Sequence, residues 1–316
     1  MLYALVSVLY WLCLYAPLPS AIQPVLTVID FAPRWLVFIP LLMWLLFAFK
    51  HKHSSFKSWG LAAVLTISNA LLVLDVKLPS LPYSATSLHV FTMGTFNAGG
   101  SRADIPSMIM WYQQQQLDVL LLQEARESEI LAQLPADLQL DCYGQLCVLT
   151  QHQLNEIRQL SRKPLNGYGT YAAHYELSID GRVFPLVNLH LNTPRYGLQM
   201  LKAPRSNYRR FLRFHADMDM ESMIASQLVG DEQNRALIGG DFNLTQQSQI
   251  YRRYWRGWQN SFHQAGTGLG YTRTHKWLGA RIDHILLGDD LQVLSSEVHP
   301  SMGSDHNPVI VRFALQ

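Results

Sequence analysis

The stretch "GGDFNLT", residues 239–245, follows the apolar run "ALI" and reads as a buried strand that ends on a carboxylate, an aromatic ring and a carboxamide. On extended chain an Asp and an Asn two residues apart point the same way, so Asp241 and Asn243 can offer oxygen-bearing groups to one ligand. The same pair also suits an Asx-type turn, in which both side chains bond local backbone. The rest of the chain has to decide between a site and a turn.

Outward from this stretch, short apolar or alternating runs recur between turn signals from Leu88 onward: "LHVFTMGTFN", "LDVLLLQE", "QLCVLTQ", "TYAAHYELSIDGRVFPLVNLHLN", "RIDHILLG" and "NPVIVRFAL". Helical stretches intervene near 103–116, 201–228 and 246–258, which predicts stacked sheets with helices outside. Polar residues gather at the ends of these runs: Asn97, Glu124, His190, Asn192, Asp241 and Asn243, then Asp283, and Asp305 and His306 just before the last strand. Such placement works against folding and points to function. A turn at Asp180-Gly181 would set Tyr171 opposite His190, so a structural His–Tyr contact stands as the other reading of that histidine. His284 and His299 look like bystanders.

Taken in order, "FN" (96–97), "LLLQE" (120–124), "NLHLN" (188–192), "GGDFN" (239–243), "RIDHIL" (281–286) and "SDHNP" (304–308) resemble the endonuclease/exonuclease/phosphatase superfamily over about residues 88–316. That group includes deoxyribonuclease-like enzymes, abasic-site endonucleases, sphingomyelinases and inositol-polyphosphate phosphatases. The resemblance implies a four-layered α/β sandwich of two packed, mainly antiparallel sheets with outer helices. It also implies a divalent metal, usually magnesium with manganese as the alternative, assisting phosphate-ester hydrolysis at one edge. It places Asn97 and Glu124 on the metal, as hard oxygen donors that leave magnesium most of its waters, with Asp305 completing or approaching that shell. His306 matches the general base or transition-state stabiliser, and Asp283 the carboxylate that fixes its tautomer. His190 and Asn192 fall on the phosphate-contact and leaving-group side, while Asp241 and Asn243 look like the pair that holds the attacking water and the scissile phosphate. Relatives often carry Asp-Ala where this chain has "NSF" (260–262), so the partner of His190 is unassigned, with Glu176 a candidate.

Residues 1–75 have another character. Apolar runs at 2–16, 35–49 and 59–74 crowd into a stretch whose only charges up to residue 78 are Arg34, Lys50, Lys52, Lys57, Lys77, Asp30 and Asp75. They predict a transmembrane region of three helices, about 2–18, 33–49 and 59–75, lengthened by semi-polar flanks, with Trp and Tyr at the interfaces. Buried core helices are the alternative, and a signal peptide is another for the first run, although it lacks a basic n-region. The three Lys of the 50–57 loop make that loop cytoplasmic, which puts the domain from 88 to 316 outside the cytoplasm, at a plasma or inner membrane. Residues 76–87, rich in Pro and Ser, read as a linker. Cys142 and Cys147 flank "YGQL" as a tight hairpin would, leaving either a cross-strand disulfide or two reduced thiols.

Beyond residue 78 there remain 20 Lys and Arg against 21 Asp and Glu, so net charge does not announce a nucleic-acid binder. The run from Arg195 to Arg213 does favour one: it holds Arg195, Lys202, Arg205, Arg209, Arg210 and Arg213 with no acidic residue, and Tyr196, Tyr208 and Phe211 interleaved. A solvated helix face explains the same run. The expected activity is a membrane-anchored, metal-dependent phosphodiesterase. Its substrate is nucleic acid first and a lipid headgroup second, with Arg195, Arg209 and Arg210 as substrate contacts. A non-catalytic phosphate-binding membrane protein is the third reading. Beyond the substrate and the lipid bilayer, no protein partner is deducible.

Overall fold

The computed structural model describes residues 1–16, 18–19, 22–51, 55–79, 89–165, 167–200, 206–276 and 278–316. Lys52, Lys202, Arg205 and most of the expected linker lie outside the described residues. The first sheet holds β1 (Phe91–Asn97), β2 (Val119–Gln123), β3 (Gln139–Tyr143), β4 (Leu146–Thr150), β13 (Leu291–Val298) and β14 (Val309–Leu315) in the order β13-β14-β1-β2-β4-β3. The second holds β5 (Gln153–Ser161), β6 (Thr170–Ile179), β7 (Arg182–His190), β8 (Leu237–Asp241), β9 (Gln259–Asn260) and β12 (Asp283–Leu287) in the order β5-β6-β7-β8-β12-β9. A separate hairpin pairs β10 (Arg273–His275) with β11 (Leu278–Ala280).

Both sheets are mixed, with β1–β2 and β7–β8 parallel and the other pairs antiparallel. Parallel neighbours need a crossover, here α5 (Ile105–Gln114) in the first sheet and α7 (Arg195–Met200) with α8 (Ser206–Ala225) in the second. Strands β1, β2, β4, β8 and β12 are buried along their whole length, which is why they read as apolar runs. Met93, Val119, Leu121 and Val148 meet Tyr175, Leu186, Leu237 and Ile285 between the sheets. Their neighbours Phe96, Leu120, Leu122 and Leu149 turn outward, onto Met108, Ile109 and Trp111 of α5 and Ile130 of α6 (Glu127–Leu131). On the far side Val187, Leu189 and Ile238 pack against Met218 of α8 and Ile250, Tyr251 and Trp255 around α9 (Gln249–Tyr254). A short α10 (Ser261–Ala265) follows, capped by Asn260, whose Oδ1 accepts from His263 N at 3.0 Å. These are the four layers expected.

Ahead of the sandwich stand α1 (Leu2–Tyr15), α2 (Gln23–Phe31), α3 (Ile39–His51) and α4 (Phe56–Leu72), with a 3-10 turn at Arg34–Phe38. Three of them follow the apolar runs. The fourth, α2, forms between Pro24 in its first turn and Pro33 beyond its end, in a segment read as a connection. Among the described residues no single helix is long and apolar enough to cross a membrane, and Val25–Phe31 with Arg34–Lys50 pass that test together only as a pair bent by 89°. The helices turn polar groups inward: buried Asn69 donates to Ser7 Oγ at 2.8 Å and accepts from Trp11 Nε1 at 3.0 Å. Leu5, Leu9, Leu42, Leu46, Val64 and Ile67 lie on the outside.

Candidate active site

Strand register assembles the site. His190 stands opposite Asp241 across the parallel β7–β8 pair, and Asp283 opposite Asp241 across the antiparallel β8–β12 pair, so one row of the second sheet carries all three. In the first sheet Asn97 lies beside Gln123, the residue before Glu124. Gln123 Nε2 donates to Asn188 Oδ1 at 2.8 Å, and Asn188 Nδ2 donates to the carbonyls of Leu122 at 3.1 Å and Cys147 at 2.9 Å, which ties the sheets together at this edge. The "GG" of the opening stretch serves the same approach. A Cβ on Gly239 would meet Met93 of the facing sheet at 2.7 Å, and one on Gly240, at φ +147°, would meet the Leu189 carbonyl oxygen at 1.9 Å. The loop before β14 closes the edge, because Ser304 Oγ donates to the Asn97 carbonyl at 2.7 Å and accepts from His306 N at 3.1 Å.

Asn97 Nδ2 donates to Asp241 Oδ2 at 3.0 Å and to Glu124 Oε1 at 3.3 Å. His306 Nδ1 lies 2.9 and 3.0 Å from the two oxygens of Asp283, and its Nε2 lies 3.8 Å from Asp241 Oδ2. His190 Nε2 is 3.7 Å from Glu124 Oε1 and 3.8 Å from Asp241 Oδ2. Asp241, Asp283 and His306 are buried, whereas the Glu124 side chain is 40% exposed and forms the open side. Glu124 and Asn243 both hold left-handed backbone, at φ 49° and 51°, a strain that recurs at functional sites.

Burial and charge push these groups apart. Burial drives the His190 pKa down to about 4 despite the Glu124 carboxylate, so its imidazole is neutral. Burial, then the Asp283 charge, lift Asp241 to about 7 against the opposing pull of His306. Burial disfavours a charged His306, but Asp283 and Asp241 outweigh it and raise that imidazole to about 9. Arg273, from β10, intervenes here: its Nη1 is 2.7 Å from His306 Nε2 and its Nη2 donates to Asp305 Oδ2 at 2.6 Å. A guanidinium only donates, so this contact needs Nε2 unprotonated with the proton on Nδ1 facing Asp283, whereas the upward shift of His306 favours the imidazolium with both nitrogens protonated. Protonation at Nε2 and the Arg273 contact exclude each other, and a phosphate oxygen placed between the two groups would give each a partner.

Several site residues left no signal in sequence. Arg273 belongs to a short hairpin with no motif. Thr272 Oγ1 accepts from Ile282 N at 3.0 Å and Asp283 N at 3.1 Å, which fixes the start of β12. Glu221 of α8 is buried, accepts from Arg162 Nε at 2.7 Å and holds the Asn192 backbone N–H at 2.8 Å, while Arg162 also donates to the His190 carbonyl. Together they set the end of β7.

The opening question has a divided answer. Asp241 Oδ1 accepts from Asn243 N at 2.8 Å, which is the Asx turn, while Oδ2 faces Asn97, His190 and His306, which is the site. Asn243 is therefore not on extended chain beside Asp241: its Nδ2 donates to the Leu191 carbonyl at 2.9 Å, though it still lines the adjoining cleft. At Asp305, expected at or near the metal, Arg102 and Arg273 engage the two carboxyl oxygens at 3.0 and 2.6 Å and hold the carboxyl below the usual range against the effect of burial. Asp180-Gly181 does make the β6–β7 turn, and Glu176 falls opposite Pro185, five residues along the strand from Tyr171, so it does not partner His190. Asn192 is placed by its backbone bond to Glu221. Arg195 lines the cleft beside the site; Arg209 and Arg210 are exposed on α8 and do not. His284 is a structural histidine, with Nε2 2.8 Å from the Leu244 carbonyl oxygen.

The donor set suits a hard divalent cation. Glu124 and Asp241 present carboxylates on either side of the Asn97 amide, and the exposed side of Glu124 leaves room for retained water, as magnesium prefers. One ligand atom each from Asp241, Asp283 and His306 also lie within 4.8 Å of one another, but the Asp283–His306 hydrogen bond occupies that space with a proton. Glu124 is the better ligand; Asn97 as placed turns Nδ2 to the carboxylates while its Oδ1 accepts from Gly99 N at 2.9 Å, so it would join a cation only with its amide reversed.

A two-sheet sandwich with a His–Asp pair, an opposed Asp and a Glu–Asn pair at one edge has the form of a phosphoester hydrolase. The chain belongs to the Endonuclease/Exonuclease/phosphatase family, whose model matches residues 94–306. No curated protein matches it by sequence. Among solved structures it is similar to an endonuclease/exonuclease/phosphatase family protein from Bacteroides thetaiotaomicron (TM-score 0.53, 14% identity, 73% of this chain and 99% of that one). It is also similar to D. rerio TDP2 complexed with a single-strand DNA product (0.53, 13%, 71% and 98%). A third is the mannosyl-6-phosphatase of B. thetaiotaomicron (0.51, 16%, 71% and 100%). At these identities the likeness is one of fold.

Proposed function

We propose that this chain is a divalent-metal-dependent phosphoester hydrolase, held at a membrane by its N-terminal helices with the sandwich outside the cytoplasm. The observation that carries the chemistry is Asp241 set 3.8 Å from His306 Nε2, with Asp283 behind the histidine and Asn97 joining Asp241 to Glu124. Glu124, joined by Asn97 with its amide reversed, would hold the cation, which supplies charge neutralisation at the phosphate oxygens. Asp241 orients the attacking water and accepts its proton. His306, its Nδ1 fixed by Asp283, gives a proton or a hydrogen bond to phosphate oxygen through Nε2. Neutral His190 donates from the other side, and Arg273 moves from His306 to the phosphate.

The membrane part of this reading rests on the outward apolar faces of α1, α3 and α4, and the orientation on the cationic loop between α3 and α4. The Cys142–Cys147 disulfide, between directly paired residues of β3 and β4, suits an oxidising compartment. A nucleic-acid substrate drew its support from the basic run, of which Arg195 alone of the described cations lines the cleft, so the alcohol of the ester is left to the following section. The purified full chain should hydrolyse bis(4-nitrophenyl) phosphate with magnesium and stop on chelation, and a C-terminal reporter active only in the cytoplasm should stay dark. Hydrolysis indifferent to chelator would refute the metal, and a bright reporter the topology.

A further inference from the structure

Beside the phosphate site lies a cleft of about 250 Å³. At one end are Asn243 and Arg273, the latter reaching His306 and Asp305. Its lining also takes Pro194, Leu198 and Ile282, the polar Thr193, Arg195 and Gln199, and Phe31. Phe31 is the last residue of α2 and belongs to the N-terminal helices, so the wall of a catalytic cleft is built from the region that precedes the catalytic domain. The placement is held on several sides. Leu26, Thr27 and Asp30 bury one face of α2, Arg34 Nη1 donates to Gln247 at 3.0 Å, and Asp75 pairs with buried Arg281, two residues before Asp283.

On its other face α2 leaves Val25 58% and Val28 43% exposed, continuing the outward apolar surface of α1, α3 and α4. Exposed apolar side chains thus stand on α1, α2, α3 and α4, and α2 also supplies Phe31 to the cleft that holds Arg273. Resting on the hydrolase reading above, we propose that the substrate is a phosphate ester of a membrane amphiphile. Its hydrocarbon chain lies between Phe31 and the Leu198–Ile282 wall, and its phosphate enters at Arg273 and His306. The chemistry of the walls favours this occupant over a nucleic-acid strand. A strand wants a cationic track with aromatic faces for its bases; the cleft does hold Arg195 and Arg273, but among the described residues Phe31 is the single aromatic ring of its lining, beside Pro194, Leu198 and Ile282, and Arg209, Arg210 and Arg213 do not line it. The bilayer that covers the helices would also deliver the substrate, with α2 at the entrance.

The test uses the full chain in dodecyl maltoside micelles with magnesium, and compares phosphatidylglycerol, a polyprenyl phosphate, bis(4-nitrophenyl) phosphate and a single-stranded oligonucleotide. One of the two lipids should be preferred over the oligonucleotide, and which one tells a glycerolipid from an isoprenoid. Phe31→Ala should lower the ratio of kcat/KM for that lipid to kcat/KM for the chromogenic ester by roughly 10- to 200-fold, as truncated apolar pockets do. Independently of turnover, phosphatidylglycerol with a diazirine at its chain end, photolysed with wild-type protein in chelator, should leave adducts on the sandwich around Leu198 or Ile282. Adducts confined to α1, α3 and α4, preference for the oligonucleotide, or an unchanged ratio in Phe31→Ala would each overturn the proposal. If no ester is cleaved but the sandwich adducts form, the hydrolase reading fails and the chain-binding cleft stands.

Discussion

In the sandwich, Phe91, Leu121 and Leu186 lie between the sheets and the polar side chains stand at strand ends; in the N-terminal helices, Ser7 and Asn69 are buried while Leu9, Leu46 and Val64 face outward. The same polypeptide thus solves two solvent problems. The sandwich is arranged as water requires, with apolar area removed and a few buried charges paired for chemistry. The helices bury hydrogen-bonding groups beside a small apolar cluster of Leu14, Val37 and Val73 and leave many leucines outside, the pattern expected of helices that face hydrocarbon. The two regions meet at α2 and at the Asp75–Arg281 pair, close to the catalytic strand β12.

The largest effects should come from the buried charges of the sandwich. Asp241→Asn and His306→Ala should each lower turnover by roughly 10² to 10⁴-fold while the circular dichroism spectrum and melting temperature hold. The double variant should cost far less than the product, because the two act as one unit. The pH profile carries a sign. Asp241, raised to about 7, works only above that value, and His306, raised to about 9, keeps its proton only below it, so kcat/KM should be bell-shaped between them. Bound cation favours the Asp241 carboxylate and moves the acid limb lower. Asp283→Asn removes a charge that raises both groups, so in the residual activity both limbs should slide to lower pH. A shift of either limb upward would contradict the assigned causes.

Next in size is the joint between the regions. Asp75→Asn leaves the Arg281 guanidinium buried without its counter-charge, which typically costs about 3–5 kcal/mol, and adding Arg281→Met should recover much of that. Denaturant titration of the full chain in micelles measures it. A loss under about 1 kcal/mol would mean that the pair does not couple helices to sandwich.

The site was legible in sequence wherever a residue sits at the end of an apolar strand, since a polar group there contradicts its own neighbours. Asn97, Glu124, His190, Asp241, Asp283 and His306 all stand out in this way. Arg273 did not, because β10 is three residues long and its neighbours are polar too. Arg162 and Glu221 come from a sheet edge and a helix interior, where each looks like ordinary surface. The two arginines that flank Asp305 were also invisible, because a carboxylate next to His306 gives no hint that Arg102 and Arg273 will reach it. The edge strand β5 was missed since its exposed residues carry no apolar pattern. Helix α2 escaped because it is short and set among prolines, yet it supplies Phe31.

A smaller effect separates the two surfaces. Leu46 on α3 is 65% exposed and Tyr168 in the sandwich 93% exposed. If both faced water, replacing either by Lys would change stability within about 0.5 kcal/mol. With the helices in a bilayer, Leu46→Lys should cost about 2.5–3.5 kcal/mol and reduce membrane insertion of the full chain, while Tyr168→Lys stays neutral. Equal tolerance at both sites would erase the distinction between the regions.

The last test is the finest discriminator, because it reads the difference between two buried asparagines. In the sandwich, Asn188→Leu would leave one N–H of Gln123 Nε2 without its partner, the bond to Thr95 Oγ1 at 3.1 Å remaining, and would take the side-chain donor from the carbonyls of Leu122 and Cys147 in a dry, packed edge, at about 1–3 kcal/mol for each group left unpaired. In the helices, Asn69→Leu would remove bonds to Ser7 Oγ, Tyr3 OH and Trp11 Nε1. Those partners have alternatives within the helices themselves: Ser7 Oγ already donates to the Tyr3 carbonyl at 2.8 Å. The unfolded reference in a membrane also satisfies polar groups, so such interhelical bonds contribute only about 0.6–2 kcal/mol. Asn69→Leu should therefore destabilise the full chain less than Asn188→Leu when both are unfolded from the same micelles. The opposite order would mean that Asn69 is held as a water-soluble core holds a polar group, and the contrast between the two regions would collapse at its most sensitive point.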